Sequence, residues 1–83
     1  MIVRQLIEQL QRCDPEHVVV LARDSEGNGY SPLDGVEGEN NVYVPSNTWS
    51  GEVHLHHLAP GYSDEDVYSG PDGVRAVVLW PTN

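Results

Sequence analysis

Phenylalanine is missing from this 83-residue sequence, so Trp49, Trp80, Tyr30, Tyr43, Tyr62 and Tyr68 supply all of its aromatic bulk. Each of these rings carries a polar atom that needs a partner when buried. Some of them are therefore expected to sit half exposed. Cysteine occurs once, at Cys13, which excludes an internal disulfide. With no leader-like stretch and no long apolar span, that usage leads us to expect a reducing cytoplasm. Cys13 falls near the end of an apolar helical stripe, and a buried structural thiol is expected there instead of a nucleophile. Bases are scarce: four against thirteen acids, a formal net charge of −9. Such a charge repels phosphate backbones and anionic headgroups, which argues against direct nucleic-acid or membrane binding. The acids are spread along the chain, as on a solvated surface; the competing reading is an acidic face that attracts a basic partner protein.

Signatures of chemistry are also missing. The sequence has no phosphate-cradling glycine loop, no GxSxG elbow, no CxxC pair, no HExxH helix and no RNA-binding aromatic motif. At this length an enzyme is not expected, and neither is a cofactor. The hydrophobic fraction is 39%, low for a globular chain but gathered into short runs, so the chain should fold. A single domain spanning residues 1–83 is expected, with a thin core, because so short a chain buries only about 60% of its unfolded surface.

Val3, Leu6, Ile7 and Leu10 recur at the i, i+3, i+4, i+7 spacing of one helix face, and Asp14–Pro15 ends that pattern. An amphipathic helix of about three turns is predicted. His17–Ala22, HVVVLA, is too short for a helix and suits a strand buried on both faces. Strands are also predicted at Asn41–Val44, stopped by Pro45, at Glu52–Leu58 and at Val74–Trp80, closed by Pro81. Ser63, with Asp66 three residues later, resembles a helix cap with a reciprocal acid, and GPDG at 70–73 spells a β-turn. The fold class that follows is α+β, with the N-terminal amphipathic helix packed on a small, mostly antiparallel sheet of about four strands. The two most apolar strands are expected side by side at its centre.

Three stretches are candidate sites. Residues 24–35 read DSEGNGYSPLDG and place Asp24, Glu26 and Asn28 at positions 1, 3 and 5 of a calcium-type loop, glycine at 6 and the Tyr30 carbonyl at 7. Position 12, where the bidentate Glu belongs, is Gly35. Turn chemistry alone accounts for the glycines and Asn28, and it is the preferred reading over a ligand loop. His54 and His56 stand at i and i+2 of a predicted strand, so they could share a face and a metal ion, with the third ligand unassigned. Tyr62, Asp64, Glu65, Asp66 and Tyr68 combine aromatic anchors with a charged rim, the composition of a partner-binding surface.

The ordered set DPEHVVVLARDSEGNGYSPL at 14–33 and GYSDEDVYSGPDGVRAVVLWP at 61–81 resembles a group of small proteins encoded by tailed bacteriophages and prophages. The likeness lies in the arrangement and is weakest over 36–57. It implies a setting, the cytoplasm of a bacterial host, and carries over no catalytic residue. By association it makes a protein partner the leading expectation, host or phage, including a host defence component. Self-association through a strand edge or apolar patch is a further expectation. The alternatives are a small-ligand or metal-binding protein using the 24–35 loop or the His54/His56 pair, and a minor structural or assembly accessory.

Overall fold

The computed structural model describes residues 1–82. Helix α1, Val3–Leu10, is followed by strands β1 (Val20–Ala22), β2 (Tyr30–Glu37), β3 (Asn41–Pro45) and β4 (Gly51–Leu55), a 3-10 turn at Asp64–Asp66, then β5 (Val74–Arg75) and β6 (Val78–Pro81). The class is α+β, as expected. In place of one sheet, the six strands form two three-stranded sheets, ordered β1-β2-β6 and β4-β3-β5. The chain divides into two compact units. One comprises residues 1–35 and the chain from Leu79 onward, so it is discontinuous, and the other comprises Val36–Val78.

In the first unit, Gln5 reaches back with Oε1 to accept from the Ile2 amide at 2.8 Å, satisfying one of the donors orphaned at a helix start. The helix ends after a little over two turns, earlier than Asp14–Pro15 required. Asp14 instead shapes a second turn, accepting from the Glu16 amide at 2.9 Å through Oδ1 and from the His17 amide at 3.1 Å through its carbonyl. Val3, Ile7 and Leu10 remain about half exposed, and no helix residue is fully buried. Cys13, expected to be buried at the end of this stripe, is exposed because nothing covers the stripe there.

The HVVVLA run departs furthest from expectation. Only Val20–Ala22 is strand, it lies at the sheet edge, and Val18 and Val20 are 80% and 52% exposed. The central place belongs to β2, paired antiparallel with β1 in the register Val20↔Pro32, Leu21↔Ser31, Ala22↔Tyr30. The two most apolar runs are thus the two edges of this sheet, separated by β2. β6 takes only the end of the run predicted at Val74–Trp80; the chain breaks at Ala76–Val77, and Val74–Arg75 joins the other sheet.

In the second unit, β3 and β4 form a hairpin from Asn41↔Leu55 to Pro45↔Gly51, and β5 pairs with the other edge of β3 through Val42↔Arg75 and Tyr43↔Val74. Val42, at the middle of this sheet, is the one buried hydrophobic residue among the described residues, 5% exposed. Asn41 beside it is buried too, and its amide Nδ2 donates to the Glu37 carbonyl at 3.1 Å. Such a bond offsets the cost of burying a polar group.

Candidate functional site

The 24–30 segment is a closed turn. Asp24 Oδ1 accepts from the amides of Glu26 at 2.9 Å and Asn28 at 3.2 Å, while Oδ2 accepts from Asn28 Nδ2 at 3.0 Å. The Arg23 amide donates to the Gly29 carbonyl at 2.8 Å, and the Arg23 guanidinium donates to the Asn28 carbonyl at 3.1 Å. Gly27 has φ of 74°, the left-handed conformation that the turn requires and glycine allows. Hydrogen bonds from the Asn28 side chain and then its amide hold the Asp24 carboxyl below its ordinary value. These oxygens thus already serve the turn's own donors. Positions 7–12 of the supposed calcium loop run along β2, which carries Gly35 about 16 Å from Tyr30 at ~3.3 Å per residue. An encircling loop must instead bring position 12 back to the ion.

The histidines are separated by where β4 stops. Its last residue is Leu55, so the alternation that would bring His56 alongside His54 ends before it. Asn40 takes over instead: its Oδ1 accepts from the amides of His56 at 3.0 Å and His57 at 2.9 Å, and its Nδ2 donates to the His57 carbonyl at 3.0 Å. His56 and His57 stand edge to face, ring centroids 5.7 Å apart. His54 Nε2 lies 3.2 Å from Glu52 Oε2, its i−2 neighbour on the strand. Among the described residues, no group of three or more His, Cys, Asp and Glu side chains is placed to hold a metal ion.

The segment 62–68 divides in two. Ser63 and Asp66 form the capped turn that their spacing predicted: the Ser63 amide donates to Asp66 Oδ2 at 2.9 Å, and the Asp66 amide to the Ser63 carbonyl at 2.9 Å. Asp66 is therefore occupied locally. Tyr68 turns inward, its amide donating to the Leu55 carbonyl at 3.0 Å and its hydroxyl accepting from the Asp72 amide at 3.0 Å. Its ring and Val42 Cγ1 both close on Gly73, where a Cβ would overlap each of them. Tyr62, Asp64 and Glu65 face solvent, Tyr62 being 57% exposed.

Trp49 is the residue that reading by motif passed over. It sits at the tip of the β3–β4 hairpin and is 89% exposed. Asn47 Oδ1 fixes the loop beneath it, accepting from the amides of Trp49 at 2.7 Å and Ser50 at 2.8 Å and from Ser50 Oγ at 3.3 Å. The signal was present in SNTWSG: a tryptophan flanked by turn formers on both sides lies where a chain reverses, which is at a surface. A tryptophan held out on such a turn offers much contact area for few rotatable bonds.

No helix among the described residues is long and apolar enough to cross a membrane. Comparison with protein-family models, with curated proteins and with solved structures finds no match to this chain.

Proposed function

We propose that this chain is an accessory protein that works by binding another protein and carries out no bond-making step itself. The observation that carries the reading is Trp49, 89% exposed on a hairpin tip that Asn47 holds in one conformation. Leaving an indole in water forgoes the gain from its burial, and a partner pocket recovers it. Tyr62 with Asp64 and Glu65 adds a second exposed aromatic beside free carboxylates, and the net charge of −9 favours a basic face on the partner. The resemblance to small phage and prophage proteins supports reading the partner as a host factor or a phage protein, met in the cytoplasm of a bacterial host.

The test is affinity capture from host lysate with three baits: the intact protein, Trp49→Ala, and the double variant Asp64→Asn with Glu65→Gln. Asp66 is left intact because it caps its own turn. A stoichiometric protein held by the first bait, lost by the second and held more weakly by the third at raised salt is the expected result. Turnover of a defined compound by the purified chain, abolished by a single substitution, would overturn the reading.

A further inference from the structure

Strand β1 leaves its outer edge open. The Leu33 amide donates to the Val19 carbonyl at 3.0 Å and the Arg23 amide to the Gly29 carbonyl at 2.8 Å, so residues 19 and 23 turn their backbone groups toward β2. By strand alternation the amides and carbonyls of Val18, Val20 and Ala22 point the opposite way. β1 is outermost in its sheet, and among the described residues none of these three makes a backbone hydrogen bond outside the β1–β2 ladder. Natural edges are commonly blunted by charge, proline or a bulge. From His17 to Ala22 there is no charged residue and no proline.

We propose that β1 pairs antiparallel with β1 of a second copy, with Val20 on the twofold axis, so that two three-stranded sheets join into one of six. Three observations select a second copy as the occupant. Outward-facing groups must meet outward-facing groups across a new antiparallel ladder, and pairing about Val20 sets Val20 opposite Val20 and Val18 opposite Ala22, all of the outward set. The segment free to pair runs from Val18 to Ala22, between the turn closed by the His17 amide and the turn opened by Asp24. Val20 is its midpoint, so this register uses its whole length. Charge is the third. A chain of net charge −9 repels its own copy over most of its surface, but this strand brings only uncharged side chains opposite one another, Val19 facing Leu21 on the reverse face. Beyond the ladder the same register sets Glu16 toward the copy's Asp24 and His17 toward its Arg23; Glu16 and Asp24 sit in the flanking turns, outside the hydrogen-bonded pairs.

Five residues a side make a small interface, and the dimer is accordingly concentration dependent. Analytical ultracentrifugation of the full chain over a series reaching about 1 mM is expected to show a monomer–dimer equilibrium. Val20→Lys sets two ammonium groups against each other on the axis and is expected to leave monomer alone. The ladder to β2 survives that change, because the Val20 amide faces away from it, and circular dichroism checks that it does. If the variant fails to fold, cysteine placement settles the matter in a Cys13→Ser background. With diamide as oxidant, Val20→Cys closes an intermolecular disulfide, its Cα about 5.5 Å from its copy across a hydrogen-bonded pair. Val18→Cys does not, being about 14 Å from its own copy in this register. A monomer at every concentration, an undiminished dimer of Val20→Lys, or cross-linking through position 18 as readily as through 20 would each overturn the proposal.

Discussion

His54 lies against the ring of Tyr68, the two centroids 5.7 Å apart and the planes inclined at 35°. The sequence places these residues in two different prospective sites, a metal pair and a partner surface, yet the fold joins them over the same small core. Tyr68 closes on Gly73 together with Val42, and His54 is opposite Val42 in the β3–β4 ladder. Both side chains pack on this core, and the first prediction follows from that.

Tyr68→Ala should cost about 2–3 kcal/mol of stability, by removing half-buried ring area beside the one buried valine. Tyr68→Phe removes only the acceptor for the Asp72 amide and should cost about 1 kcal/mol. Urea unfolding of the two variants measures the difference. Equal losses would mean that the ring contributes little beyond its hydroxyl.

Gly51 stands where β4 begins, and a Cβ there would lie 2.5 Å from the Val44 carbonyl oxygen and 2.7 Å from the Tyr43 ring. Neither the paired backbone nor a ring on it can withdraw cheaply. Gly51→Ala is therefore expected to open the end of the hairpin at Pro45↔Gly51 and to destabilise by about 1–3 kcal/mol, as overpacking does. Faster exchange of the Ser46 and Asn47 amides, which donate to the Ser50 carbonyl, would report it directly.

The Asp24 carboxyl is held below its ordinary value first by the Asn28 side chain. A folded-state value below the unfolded one contributes stability that is present above the unfolded value and lost as pH falls through the folded one. The turn at 24–28 should therefore loosen only under acid conditions, below about pH 4. Asn28→Ala should move the Asp24 midpoint upward, toward the unperturbed carboxylate range. Carbon-detected NMR titration of the Asp24 side chain measures it, and an unchanged midpoint would assign the effect to the backbone amides alone.

Zinc supplied in stoichiometric amount to protein prepared without a histidine tag is expected to leave thermal unfolding unchanged. His54 is engaged with Glu52 and Tyr68, and His56 follows Asn40 out of the strand. A bound ion that disappears when His54 and His56 are both replaced would reverse this assignment.

Where a local period dominates, the fold could be read directly. Val3–Leu10 is helical because its apolar spacing is helical, and Ser63 with Asp66 makes its turn because the Ser63 amide and the Asp66 carboxylate, a donor and an acceptor three residues apart, meet at short range. The strands of the β3–β4 hairpin were legible at Asn41–Val44 and Glu52–Leu58, but their pairing was not, and the second ends at Leu55. β2 was not legible. Its half-buried face is Ser31, Leu33 and Gly35, and although Tyr30 and Val36 suit a strand, Pro32, Asp34 and Gly35 between them break the pattern. Pairing with β1 across the 24–28 turn, from Ala22↔Tyr30 to Val20↔Pro32, makes it one. The run HVVVLA was then misplaced in turn: its composition asks for burial on two faces, but β2 took the centre and left it at the edge. Among the candidate sites, the sequence identified residue types capable of chemistry. It could not tell that Asp24 and Asp66 would spend their oxygens on their own turns.

The discontinuous unit has a consequence for how the chain is made. As synthesis proceeds from the amino end, Val36–Val78 is complete before the ribosome has released the strand that the earlier residues need as their third. The β1-β2-β6 sheet must wait, its first two strands paired but unfinished, while the inserted unit closes. A chain ending at Val78 and free of the ribosome should thus already protect the amides around Val42 and leave those of β2 that face β6 exchanging freely.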